Sequence, residues 1–290
     1  MNNAKMNWLE VGLTDGLMLS ECSNILHHAC RYIALTGKYF IEEAPDDSHT
    51  SAVWIPEKQW LAGQSFETIQ GQFKVALNYT GLALMIVNDE LKVANELSLS
   101  GKTDTEAFSW LEEQLRALKL NTKEFKNQIH FEIPFHPIDE QGVFEIPSAR
   151  YFKELSKYRT NGHQVLVDFA AGYHRAEPVL LWPHHFDEGC HIPQQTDGNK
   201  TTASFSIGVA PPDKYYTFPY FFVITWAKNG IDYSNLPPIG KPGSWHTHEW
   251  TGQVLAGDRL IRLSKTDQYK TVYTFMEAAI NNALTLLDRR

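Results

Sequence analysis

Residues 148–174 read SARYFKELSKYRTNGHQVLVDFAAGYH. Tyr151, Leu155, Tyr158, Gly162, Leu166, Phe169 and Tyr173 keep one helical phase through this stretch. The spacing predicts a single helix over 148–174 rather than two helices broken at Gly162. A glycine inside an unbroken apolar stripe then marks a close packing contact. Working outward, the residues after this helix turn β-branched and aromatic, and strands are expected over 179–186, 202–209 and 220–226. Ser264 or Thr266 caps a last helix with Tyr269, Val272, Tyr273, Met276, Ile280, Ala283, Leu284 and Leu287 on one face.

The first half has the same order. Met18, Cys22, Ile25, Leu26, Ala29 and Ile33 fall at helical spacing over 17–36, and Gly37 is read as the stop. Residues 52–66 are extended, since Pro56 forbids a helix there. Two strands are expected over 73–84 and 84–93, with Val87-Asn88-Asp89 as a polar turn. Thr103-Asp104-Thr105-Glu106 is a capping box that opens a helix with Ala107, Leu111, Leu115 and Leu118 on its buried stripe. A further strand is expected over 129–133. The expectation is an α+β protein of antiparallel sheet with helices packed on one face, built either as a duplicated α-β-β-β-α unit or as one continuous domain. The halves divide at 1–145 and 146–290, the latter carrying the His- and aromatic-rich region.

The composition narrows the class. Across 290 residues, 43% are hydrophobic, which is enough to repay the entropy of ordering a core. A formal net charge of −8 offers no basic footprint, so no nucleic-acid partner is expected. No apolar run reaches the length of a bilayer span, and no membrane role is expected. Met1 to Gly16 lacks a basic stretch followed by an apolar one, and three cysteines make a poor disulfide framework. A cytoplasmic protein with reduced thiols is the expectation.

The 89 residues from Ala176 to Ser264 hold nine of the 14 prolines, five of the 12 histidines and 13 aromatic residues. Rigid, aromatic, proline-punctuated segments are the material of pockets. Two clusters stand out there: Trp182-Pro183-His184-His185-Phe186-Asp187 and Trp245-His246-Thr247-His248-Glu249-Trp250. If 179–187 is extended, alternation puts His185 and Asp187 on one face. In an extended segment His246 and His248 likewise point the same way. Neighbouring strands would then assemble His185, Asp187, His246 and His248 into a three-nitrogen, one-oxygen site suited to zinc, iron or manganese. Glu249 would be the general base on a water acidified by that ion. A metal-free alternative pairs His185 with Asp187 or Glu249 and takes Ser204 or Ser206 as nucleophile. Thr36-Gly37-Lys38 and Gly240-Lys241 lack the upstream glycine of a phosphate-binding loop.

Trp182-Pro183-His184-His185-Phe186-Asp187, Ser206-Ile207-Gly208 and Tyr216-Thr217-Phe218-Pro219-Tyr220-Phe221-Phe222-Val223 follow one another in the second half. This order resembles a bacterial protein family of unknown function, which shares a W-x-x-x-F-D strand, a later Y-x-x-P-Y-x-Y-V strand and a C-terminal helix. The resemblance runs over roughly the whole chain. It implies Trp182, Phe186 and Asp187 as framework positions, and it implies no activity. Some relatives carry Gly and Ser between the Trp and the Phe-Asp, so the resemblance does not support His184 and His185 as obligatory ligands.

Two functional classes follow. The first is a metal-assisted, hydrolase-like enzyme on the His/Asp site. The second is a non-catalytic module in which Trp182, Tyr216, Tyr220, Trp245 and Trp250 form an aromatic cleft for a small-molecule ligand. A structural scaffold with filled aromatic packing is the remaining alternative. The oligomeric state is not set by anything in the sequence.

Overall fold

The computed structural model describes residues 7–288. The protein is α+β, with every strand pairing antiparallel. It divides into two compact units. Unit 1 comprises residues 7–17, 157–179 and 187–288; unit 2 comprises 18–156 and 180–186.

In unit 2, helix α1 (Gly16–Phe40), whose first two residues belong to unit 1, buries Cys22, Ile25, Leu26, Ala29 and Ile33 of the expected stripe; at its start Leu19 is buried and the expected Met18 only half-buried. The helix runs three residues past Gly37, the expected stop. Strands β1 (Ala52–Ile55), β2 (Trp60–Gly63), β3 (Phe66–Thr68), β4 (Gly71–Asn78), β5 (Ala83–Asn88) and β6 (Val93–Ser98) follow. The short β7 (Leu180–Trp182) pairs with β1, giving the order β7-β1-β2-β4-β5-β6, with β3 beside β4. The expected pair over 73–93 is therefore three strands, β4, β5 and β6. The first turn falls at 79–82, where Leu82 adopts a left-handed φ of 47°, and the polar 88–92 turn is the second. Periodicity misplaced the first turn because β5 is buried on both faces, so its run ALMIV carries no alternation. Helix α2 (Asp104–Ala117) starts at the predicted capping box. The Glu106 amide donates to Thr103 Oγ1 at 3.3 Å, and the Thr103 amide donates to Glu106 Oε2 at 2.9 Å. The strand expected over 129–133 is absent; that stretch is irregular.

In unit 1, helix α3 (Ala149–Ala170), whose first eight residues belong to unit 2, continues through Gly162 as predicted. A Cβ at Gly162 would lie 2.5 Å from Val209 Cγ1, so only glycine lets the helix lie this close to the sheet. Strands β8 (Asp187–Asp197), β9 (Lys200–Ala210), β10 (Tyr220–Ala227), β11 (Ser244–His246) and β12 (Gly252–Ala256) pair in the order β8-β9-β10-β12-β11. Helix α4 (Lys265–Asp288) closes the unit. The Ser264 hydroxyl accepts from the Asp267 amide at 3.3 Å, which settles the cap on Ser264. One face of this sheet presents Cys190, Ile192, Phe205, Ile207, Val209, Phe221, Val223 and Leu255 to α3 and α4. The opposite face carries Ala210, Tyr220, Phe222 and Val254, with Tyr216 and Trp250 packed on them. Between each pair of helices lie six strands rather than three, because β2, β3, β7 and β11 are only three or four residues long and leave no period to read.

Residues 8–11 are fastened to unit 1 by two side-chain amides. Gln268, fully buried on α4, accepts from the Val11 amide at 3.0 Å and from Trp8 Nε1 at 3.3 Å. Its Nε2 donates to the carbonyls of Val11, Leu263 and Leu260 at 2.7, 3.1 and 3.2 Å. Asn161 brackets Leu9 in the same way, accepting from its amide at 2.9 Å and donating to its carbonyl at 2.7 Å. Gln268→Leu keeps the apolar volume but leaves buried donors without acceptors. It is expected to lower stability by about 2–4 kcal/mol in urea unfolding and to release the Val11 amide to hydrogen exchange. A loss below about 0.5 kcal/mol, within the range of ordinary surface substitutions, would show that these bonds are dispensable.

Candidate functional site

The two His clusters do not form the arrangement their spacing suggests. The segment 183–186 is a turn rather than strand: the Phe186 amide donates to the Trp182 carbonyl at 2.7 Å, and Phe186 takes a left-handed φ of 56°. Alternation therefore does not carry from His185 to Asp187. His185 is exposed at the turn, and its ring centroid lies 4.5 Å from that of His184. Burial beside the His185 charge holds the His184 imidazole below its usual range. Trp182 is half-buried, with its ring 6.2 Å from His184.

Asp187 begins β8 and His246 ends β11, four strand positions apart, or about 19 Å at the usual strand spacing. His246 and His248 do not share a face either, because β11 ends at His246. His246 is buried, whereas the His248 side chain is 79% exposed. Among the described residues no group of three or more His, Cys, Asp or Glu side chains is placed to hold a metal ion. Glu249 is exposed and ion-paired with Lys214, and the Tyr215 hydroxyl also donates to it. These two partners draw its carboxyl below the usual range, which makes it a weaker base. Ser206 pairs with His191, across the β8–β9 ladder at 3.3 Å, and not with His185; Ser204 is buried, its hydroxyl without a hydrogen-bond partner among the described residues.

What the sequence does assemble is an aromatic and polar relay at the end of the β10-β12-β11 edge. The β9–β10 connection, 211–219, is organised by Asp213. Its Oδ1 accepts from the amides of Tyr215 and Tyr216 at 2.7 and 2.9 Å, and its own amide donates to the Tyr216 carbonyl at 2.8 Å. This is the turn-forming chemistry for which a short carboxylate is suited. Oδ2 accepts from the Tyr220 hydroxyl at 2.7 Å. Burial and the Asp213 charge together push the Tyr220 phenol well above its ordinary range, so it remains a donor. Burial, then the same charge, also raises Tyr216.

Tyr216 leads into His246. The Nε2 of His246 faces the His248 carbonyl at 2.7 Å, an acceptor only, so Nε2 carries the proton. In the neutral ring Nδ1 is then an acceptor, and the Tyr216 hydroxyl donates to it at 3.0 Å. Trp250 stacks on the imidazole, with centroids 4.1 Å apart and 24° between planes, and Tyr215 meets it edge-on at 4.8 Å. Trp245 is fixed nearby through Nε1, which donates to the Pro237 carbonyl at 2.8 Å.

Against this relay lies a cleft of about 570 Å³. Its walls are the turn 215–218, the segment 241–244 that runs into the first residue of β11, and Ala256 at the end of β12 with Asp258 and Arg259 beyond it. Gly257 permits the closure: its amide donates to the Pro219 carbonyl at 2.8 Å, and a Cβ there would lie 2.6 Å from that oxygen. The volume falls within the range of small-molecule sites.

Of the expected aromatic residues, Tyr216 lines the cleft, and Tyr220 and Trp250 support it from behind. Trp182 belongs to unit 2 and Trp245 does not line the cleft. Lys241, Ser244 and Arg259 were not legible as lining residues. They come from two separated segments, and only the antiparallel order brings those segments together beside the 215–218 turn. The proline- and glycine-rich run 237–243 was the available signal. No protein family, curated protein or solved structure matches the chain.

Asp213→Ala is expected to cost about 1–3 kcal/mol, because it strands the buried Tyr220 hydroxyl. Removing both partners in Asp213→Ala/Tyr220→Phe recovers part of that loss, as measured by urea unfolding. Strict additivity of the two single losses would mean that the pair is not coupled.

Proposed function

We propose that unit 1 is a small-ligand-binding module and that the cleft between the Asp213 turn, residues 241–244 and Arg259 is its binding site. The supporting observation is the cleft itself, a concavity of small-molecule size whose aromatic wall is fixed in advance by hydrogen bonds. A side chain already held loses little entropy when a ligand arrives, which favours binding over mere exposure of the same groups. Tyr216, bonded through its hydroxyl to His246, and Tyr215, bonded to Glu249, both present ring surface in this way. Phe218, which is buried, closes the apolar side.

The reading assigns no metal and no catalytic base. Glu249 serves as an anchor for Lys214 and Tyr215, and His246 as the backing of the Tyr216 wall. The three cysteines are buried and none is in a disulfide, and no described helix is long and apolar enough to cross a membrane. A cytoplasmic setting fits the reduced thiols.

The test is a saturation-transfer NMR screen of small aromatic and sugar fragments against the full chain and against Ser244→Trp, which fills the mouth of the cleft from an exposed position. Fragments that bind the natural chain and are lost from the blocked variant support the site. Fragments that bind both proteins equally, or no binding to either, contradict it.

A further inference from the structure

The charges around the cleft specify more than its aromatic wall does. The chain as a whole carries −8, yet the cleft is lined by two cations, Lys241 and Arg259, against one carboxylate, Asp258. Lys241 has no ion-pair partner among the described residues. Arg259 meets only the adjacent Asp258, through Nε at 3.6 Å, and its terminal guanidinium nitrogens have no acceptor among the described residues. The other nearby ammonium, Lys214, is occupied by Glu249. Both cations line the cleft together with the aromatic turn. Ser244 and Thr217 add hydroxyl donors to the same lining. Guanidinium and ammonium donors beside hydroxyls match the acceptor-only oxygens of a phosphate or carboxylate.

Resting on the binding-module reading above, we infer that the cleft takes a ring compound bearing one anionic group, with the ring against Tyr215, Tyr216 and Phe218 and the anion between Lys241 and Arg259. The ring supplies apolar contact and stacking. The anion supplies orientation, because the two cations rise from different segments, one before β11 and one after β12. A bare anion meets the cations without the wall, and a neutral ring meets the wall without the cations. Each is therefore a weaker ligand than the two joined.

Isothermal titration calorimetry of the full chain at low ionic strength separates these contributions. The probes are phenyl phosphate, benzoate, inorganic phosphate and neutral phenyl β-glucoside. Phenyl phosphate or benzoate is expected to bind at one site, more tightly than inorganic phosphate or the glucoside, and to weaken as salt is raised. Benzoate alone binding would specify a carboxylate, and phenyl phosphate alone a phosphate. Lys241→Ala and Arg259→Ala, both at exposed positions and checked for folding by circular dichroism, are each expected to weaken that binding by about tenfold or more. Glucoside binding as tight as that of the anionic rings, unchanged in both variants, overturns the anionic class and leaves the cleft reading intact. Inorganic phosphate binding as tightly as phenyl phosphate overturns the role of the ring. Failure of every probe, together with a blank fragment screen, removes both readings.

Discussion

Both carboxylate oxygens of Asp213 are in use, one holding the amides of Tyr215 and Tyr216, the other the hydroxyl of buried Tyr220. Those bonds join an irregular connection to the first residue of β10, and they fix where the tyrosine rings point. From there the order propagates outward: Tyr216 sets the acceptor side of His246, the His246 ring is the platform on which Trp250 lies, and Gly257 brings the chain after β12 against Pro219. A site built in this manner sits on a rigid sheet edge, although most of its lining residues are in loops. Loops positioned by a scaffold are the usual place for recognition, because the sheet carries the stability and the loops are free to vary.

The helices were the most legible part of the chain. The apolar stripe through Gly162, the Thr103–Glu106 box and the Ser264 cap each state a local rule that packing then obeys. Gly162 shows the gain in reading a residue by its surroundings: taken alone it suggests a break, and in phase with Tyr158 and Leu166 it indicates the close approach to Val209 that the structure contains. The strands were less legible. β5 is buried on both faces and carries no alternation, while β2, β3, β7 and β11 are too short to display any period.

The His/Asp constellation failed for a similar reason. Its geometry assumed that 179–187 and 245–249 run extended, whereas a turn closes at Phe186 and a strand ends at His246. One residue with φ of 56° is enough to undo an argument from alternation. His246 nevertheless matters, through bonds on both ring nitrogens rather than as a free ligand. Of the cleft residues, Lys241 and Arg259 escaped notice because they carry no local pattern. Their meaning depends on β11 and β12 pairing beside β10, a fact of strand order that hydrophobic periodicity does not encode.

The most direct test of the account is amide chemical-shift mapping of the deuterated, ¹⁵N-labelled chain during titration with phenyl phosphate. The account predicts shifts concentrated at 215–218, 241–244 and 256–259, with smaller ones at His246 and Trp250, which back the wall. Shifts centred instead on 182–187 or on His191 and Ser206, or a spectrum unchanged at saturating ligand, would contradict the assignment of this cleft as the binding site.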